Sequence, residues 1–296
     1  METISGTSSA INFKSVARAL TVVENDLKGA HDLLKNLHFD KHVPIIGITG
    51  PPGAGKSTLV NALIGNLLTD GYKIAVLAID PTSPFNYGSL LGDRIRMSAY
   101  FNNPNVFIRS LATRSSLGGL SAKTIEMADV LKAAGFDYIF IETVGVGQSE
   151  IEIAGLADIT LVVLVPESGD EIQNIKSGLM EIADAFVINK ADRDGAELFA
   201  NNLKKLVHQK SHELPVFKTI ALQADGISEV TAFITSAQYQ KNSRKVMLLA
   251  EKAYRMLQQK RMADIDKKQL QQNITRASAN EGFNLYDFVD NYLSIL

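Results

Sequence analysis

Residues 50–57 read Gly50-Pro51-Pro52-Gly53-Ala54-Gly55-Lys56-Ser57, followed by Thr58. The stretch fits G-x-x-x-x-G-K-[ST], and its flanks fit as well as its letters. The apolar run Val43-Pro44-Ile45-Ile46-Gly47-Ile48 leads in with strand character, and Thr58-Leu59-Val60-Asn61-Ala62-Leu63-Ile64 leads out with helical character. Between strand and helix, glycines let the backbone turn tightly enough for successive N–H groups to face a phosphate. The helix N-terminus adds the positive end of its dipole, Lys56 is placed to reach β- and γ-phosphates, and the Ser57 hydroxyl suits Mg²⁺. Gly50 through Thr58 are therefore the expected phosphate-binding residues.

From residue 43 onward short apolar runs alternate with longer amphipathic ones. Strands are expected over Ile45–Thr49, Ile74–Ile79, Val106–Ile108, Tyr138–Glu142, Thr160–Val165, Ala185–Asn189 and Val216–Ile220. Helical spacing marks Leu59–Leu68, Thr124–Ala134, Ile172–Ile182 and Ala196–Val207. Strands alternating with helices predict an α/β fold, a P-loop NTPase with a mainly parallel sheet flanked by helices. Ligands of such sheets sit at the carboxyl ends of the strands.

Before this region, Val16, Leu20, Val23, Leu27, Ala30, Leu34 and Leu37 recur at three- and four-residue steps. They describe one face of a helix or helical hairpin laid on the following domain. After about residue 240 the strand signal ends, and Val246, Leu249, Ala253, Met256 and Leu257 follow a helical period. The expected organisation is an N-terminal helical extension (1–42), a nucleotide-binding domain (43–239) and a C-terminal helical arm (240–296) that packs on the domain or on a second subunit.

Composition narrows the function classes. Over 296 residues, 46% hydrophobic and 21% charged content is that of an ordinary globular protein. A net charge of −2 argues against a sequence-independent nucleic-acid binder. No run of eighteen apolar residues occurs and the N-terminus lacks signal-peptide character, so no membrane association and a cytoplasmic location are expected. Zero cysteines exclude disulfides, thiolate zinc sites and a catalytic thiol. The five histidines, at 31, 38, 42, 208 and 212, show no ligand cluster and read as surface residues.

Further site residues stand at strand ends. Asn189-Lys190-Ala191-Asp192 follows Ala185-Phe186-Val187-Ile188. An Asp192 carboxylate there accepts from both N1–H and the exocyclic amine of guanine, whereas adenine would leave it unpaired at a cost on the order of 2–5 kcal/mol. Ile220-Ala221-Leu222, after the next strand, is where a backbone N–H can meet the guanine O6. Asp80 and Glu142 terminate two strands near the phosphates, and carboxylates there hold Mg²⁺ directly or through water. The usual third motif is D-x-x-G; here Glu142-Thr143-Val144-Gly145 puts Glu in its place, and the Gly145 N–H can sense a γ-phosphate. Asp93 is a third metal candidate or a solvated loop acid. In Gly169-Asp170-Glu171-Ile172-Gln173-Asn174-Ile175-Lys176, the acids can simply favour a helix N-terminus, while Lys176 can reach a phosphate or a partner.

Five stretches in order carry a resemblance: residues 47–58, Asp80-Pro81-Thr82-Ser83-Pro84-Phe85, Gly92-Asp93-Arg94-Ile95-Arg96-Met97, residues 142–150 (Glu-Thr-Val-Gly-Val-Gly-Gln-Ser-Glu) and Asn189-Lys190-Ala191-Asp192. From about residue 12 to 230 the chain resembles the MeaB/ArgK/MMAA group of P-loop GTPases. The resemblance implies a GTP-binding, GTP-hydrolysing chaperone for an adenosylcobalamin-dependent acyl-CoA mutase, most often methylmalonyl-CoA mutase, gating cofactor loading and protection. It implies GTP/GDP and Mg²⁺ as ligands, with Ser57, Asp80, Asp93 and Glu142 at the metal and Lys56 and Lys176 among the catalytic set. It also implies a mutase-contacting loop at 169–176 and a homodimer through the C-terminal helices. No glutamine follows Gly145, where Val146 stands, so slow intrinsic turnover raised by a partner is expected. The alternatives are a nickel-inserting GTPase metallochaperone and a small-molecule kinase, the latter matching an older transport-kinase label of some relatives.

Overall fold

The computed structural model describes residues 11–80, 97–112, 122–143, 149–167, 179–207, 214–237, 243–262, 265–280 and 282–293. Two compact units divide the chain, residues 1–248 and 249–296. The first is built on seven strands: β1 (Ile45–Thr49), β2 (Ile74–Asp80), β3 (Val106–Ala112), β4 (Tyr138–Glu142), β5 (Ile159–Leu164), β6 (Ala185–Asn189) and β7 (Val216–Thr219). Their order is β3-β2-β4-β1-β5-β6-β7, and every pairing is parallel.

Every residue of β1, β4, β5 and β6 is buried, which is why these strands read as continuous apolar runs rather than alternating ones. Alternation survives as a division between two faces. Ile45 joins the core beneath α1 (Phe13–Glu24), α4 (Ala122–Ala133) and α5 (Ser149–Leu156), whereas Ile46 and Ile48 join the core beneath α3 (Lys56–Thr69) and α7 (Ile227–Ser236). Here α2 is Ala30–Lys35 and α6 is Ala196–Val207, the latter covering β5 and β6 through Phe199, Leu203 and Val207. Leu59, Val60, Leu63, Ile64 and Leu67 of α3 are fully buried. At about 1.5–3 kcal/mol each, their burial rather than helix propensity holds α3 against the sheet.

The N-terminal residues form two helices whose Val16, Leu20, Val23 and Ala30 are buried, with Leu34 and Leu37 packed at the margin. Leu27 departs from the expected face and is 49% exposed. α1 ends at Glu24, and Asp26 with φ of +51° turns the chain, so Leu27 lies between helices rather than on one. β3 runs four residues beyond the expected Ile108. Arg109 hid this continuation: its guanidinium is paired with Glu24 of α1 at 2.5 Å, so a polar letter sits in a covered strand. Of the expected helix at 172–182, Met180–Ile182 forms one helical turn, and 168–178 fall outside the described residues.

Three aspartates repeat one device at the starting edge of the sheet. Asp137 accepts from Lys73 N–H at 2.8 Å and donates its own N–H to Lys73 O at 2.7 Å. Asp158 exchanges the same pair of bonds with Ile45, 2.8 Å each. Asp184 does so with Thr160, at 2.7 and 2.9 Å. Each aspartate precedes a strand and ties the first residues of the neighbouring one, so register is fixed at β2/β4, β1/β5 and β5/β6 before the ladders begin.

Lys245 of α8 (Ser243–Arg261) adds a 3.2 Å contact to the 6% exposed Asp158 carboxylate. Leu248 packs at Gly155, where an added Cβ would lie 3.4 Å from its side chain. The second unit contains the rest of α8, α9 (Lys267–Ala277) and α10 (Leu285–Leu293), with Phe288 between Phe283 and Tyr292 at centroid distances of 6.0 and 5.7 Å. Among the described residues no helix is long and apolar enough to cross a membrane.

Candidate nucleotide site

β1 is central, with β4 on one side and β5 on the other, so the direction of winding changes at its carboxyl end. That crevice is where open α/β sheets hold ligands, and residues 50–57 begin there. Gly50 has φ of +136°, and a Cβ on it would meet Val163 O at 2.0 Å. β5 therefore permits no side chain at the first loop position. Gly55, with φ of +87°, precedes α3 as its N-cap and offers no side-chain capping bond. The first-turn N–H groups of α3 are thus of the kind an anion satisfies.

Three side chains converge on the loop. Lys56, 7% exposed, donates to Gly50 O at 2.8 Å and Pro51 O at 3.0 Å. Asn189, at the end of β6, donates through Nδ2 to Ala54 O at 3.0 Å. Lys190, held at φ of +56°, donates to Gly53 O at 2.8 Å. The Asn189 Oδ1 accepts from Ala221 N–H at 3.1 Å and from Thr219 Oγ1 at 3.3 Å. The phosphate loop, the Asn-Lys-x-Asp segment and the 219–221 segment thus form one hydrogen-bonded assembly. Asp192 stands exposed beside it, and Ala191 N–H is pinned to Thr219 O at 3.0 Å. Leu222 is 88% exposed, and Ile220 closes a short bridge with Asp225. Pro52 is exposed and Thr58 half-buried in the first turn of α3.

On the β4 side, Ser57 Oγ donates to Glu142 Oε1 at 2.6 Å, with both residues nearly excluded from solvent, 3% and 4% exposed. A hydroxyl and a carboxylate side by side are a hard oxygen donor pair, the chemistry Mg²⁺ selects. Asp80 closes β2 with its backbone in register with Ala112. Its side chain, together with Asp93, Gly145 and Lys176, falls outside the described residues. Among the described residues no group of three or more His, Asp or Glu side chains is assembled for a metal.

Two contacts at this end of the sheet went unread in the sequence. Thr143 Oγ1 donates to Thr49 Oγ1 at 2.9 Å between β4 and β1. Arg193 is paired with Glu167 of the loop after β5, and its guanidinium holds the Glu167 carboxyl below the ordinary range. Only adjacency in the folded sheet brings either pair together.

The class follows from this arrangement. A phosphate loop after a central strand, hydrogen-bonded to an Asn-Lys-x-Asp at a neighbouring strand end, defines a P-loop GTPase. The model of the family described as "Methylmalonyl Co-A mutase-associated GTPase MeaB" matches residues 16–290, and the chain belongs to that family. It is 34% identical over 287 residues to GTPase ArgK of Escherichia coli, covering 92% of this chain and 84% of that one. It is 38% identical over 242 residues to a fused isobutyryl-CoA mutase of Geobacillus kaustophilus, 75% of this chain but 22% of that protein. The crystal structure of an LAO/AO transport system kinase superposes with a TM-score of 0.65 at 26% identity, covering 96% of this chain and 93% of that one.

Proposed function

We propose that this GTPase is a chaperone for an adenosylcobalamin-dependent acyl-CoA mutase, with methylmalonyl-CoA mutase as its client and GTP hydrolysis gating cofactor loading and protection. One observation carries the reading: a homologous segment of 242 aligned residues lies within the same polypeptide as an isobutyryl-CoA mutase in Geobacillus kaustophilus. Fusion keeps two activities at high effective concentration, which is useful when they act on each other.

In this reading water attacks the γ-phosphate in line. Lys56 leaves the Gly50 and Pro51 carbonyls for the β/γ-phosphates, and the 53–58 backbone amides stabilise charge on the transferring group. Ser57 and Glu142, with Asp80 and Asp93, would hold Mg²⁺, which neutralises phosphate charge when bound. Asp192 reads the guanine edge, Asn189 and Lys190 hold the phosphate loop beneath it, and 220–222 faces O6. Gly145 and the 169–176 segment with Lys176 respond to the γ-phosphate and to the client. With Val146 after Gly145, intrinsic turnover is slow until the client reorders these segments.

The 240–296 region is assigned to homodimerisation. Its Met247, Tyr254, Leu257, Met262 and Tyr286 are more than half exposed, an apolar content that favours a second copy. Truncation before residue 240 is expected to give a monomer by sedimentation; an unchanged association state contradicts the assignment.

The client is tested by calorimetric titration of purified methylmalonyl-CoA mutase with the full chain. Heat of complex formation that depends on a guanine nucleotide supports the reading, and its absence with every nucleotide refutes that client. Kinase chemistry, suggested by the name of the transport-system relative, requires a phosphoacceptor that a strictly hydrolytic product balance excludes.

A further inference from the structure

Thr49 is the last residue of β1 before Gly50, and Thr143 is the first after Glu142. They are 0% and 1% exposed. The β1/β4 ladder pairs Ile48 with Glu142, and Thr143 N–H extends it by donating to Ile48 O at 3.0 Å. β1 runs directly into the phosphate loop, and the Thr143 hydroxyl spans the two strand ends: it donates to Thr49 Oγ1 at 2.9 Å, with Ile48 O as a more distant acceptor at 3.5 Å.

Ile141, two residues before Thr143 on the same face of the sheet, is fully buried, and valine would fill either threonine position with the same shape and strand preference. A buried hydroxyl without an acceptor is costly, so two hydroxyls facing each other here fix one spacing between the strand ends. Glu142, immediately before Thr143, meets Ser57 at 2.6 Å. A relaxed spacing therefore displaces the carboxylate relative to Ser57 and the phosphate loop, without removing any group that touches nucleotide.

We infer that the Thr49–Thr143 hydroxyl pair is a positioning element for GTP hydrolysis, setting Glu142 against the phosphate loop. This rests on reading residues 142–145 as the γ-phosphate-sensing motif of this GTPase. The pair acts through Glu142, and it acts on the hydrolytic step rather than on ground-state binding.

The test is single-turnover GTP hydrolysis by the full chain, with GDP affinity and melting temperature measured alongside. Thr143→Val is expected to slow hydrolysis roughly three- to tenfold, the effect of one hydrogen bond felt in the transition state. GDP affinity should stay within about twofold, and Thr143→Ser should restore the rate. Thr49→Val should match Thr143→Val, and the double variant should be no slower than either, as expected for partners in one interaction. Glu142→Gln is run in parallel and should abolish hydrolysis. An unaffected rate in Thr143→Val with Glu142→Gln inactive overturns the positioning role. So does a parallel loss of GDP affinity and melting temperature that serine fails to restore, since that marks packing alone. If Glu142→Gln hydrolyses normally, the reading of 142–145 fails and the proposal fails with it.

Discussion

Asn189 Nδ2 sits where a side chain on Gly55 would have to be: a Cβ there would lie 2.3 Å from it. The same nitrogen donates to Ala54 O at 3.0 Å, so the base-side segment and the phosphate loop share a contact rather than merely a neighbourhood. Nucleotide affinity is accordingly a property of both segments together.

Gly55→Ala is expected to abolish tight nucleotide binding. It adds a clash with buried Asn189 to a left-handed φ of +87°, where a non-glycine residue costs about 1–3 kcal/mol. Titration with a fluorescent GDP analogue should show at least about a tenfold loss of affinity, one 1.4 kcal/mol step or more. Affinity close to wild type would mean the 54–55 and 189 segments separate at no cost.

Asp192→Asn is expected to exchange base preference. An amide donates where guanine's exocyclic amine also donates, a mismatch on the order of 2–5 kcal/mol. Xanthine presents a carbonyl oxygen at that position, so xanthosine diphosphate should gain affinity as GDP loses it. Competition binding with the two nucleotides measures both effects, and equal losses for both would remove Asp192 from base recognition.

Much of this was open to reading in the sequence. β1, β4, β5 and β6 stand within a residue of where buried apolar runs predicted them, because strands covered on both faces leave no alternation to confuse the pattern. The phosphate loop and Asn-Lys-x-Asp were legible because their spacing is local. Asn189's hold on the loop was not, since it joins residues 135 positions apart. Arg109 in β3, Thr49 against Thr143, and the three aspartates were hidden for the same reason. Each looks ordinary in its own segment and gains a partner only when strands become neighbours.

Asp158→Ala tests the edge device. The buried carboxylate accepts from Ile45 N–H and meets Lys245, and a hydrogen bond to a charged group contributes about 1.5–3 kcal/mol. For a unit of this size each kcal/mol lowers the melting temperature by about 2–4 °C. Nucleotide affinity of the folded variant should be unchanged, because Asp158 lies at the opposite end of the strands from Gly50. A normal melting temperature would deny the device a role in stability.

Alkaline stability should be limited in part by Tyr138. Burial, with Tyr72 edge-on at a centroid distance of 5.1 Å, pushes its hydroxyl up to about 12. A folded value above the unfolded one of about 10 means the protonated ring favours the folded state. Its contribution is complete below about pH 10 and is lost as pH rises toward 12. Melting curves between these limits should fall less steeply for Tyr138→Phe; identical slopes would assign the decline elsewhere.

The central claim is that this family member hydrolyses GTP under the control of a mutase. Steady-state phosphate release, with and without purified methylmalonyl-CoA mutase and with ATP as control, tests it most directly. Slow GTP turnover that the mutase accelerates, with ATP inert, is the predicted result. GTP turnover indifferent to the mutase would contradict the claim and leave a GTPase whose client is a different protein.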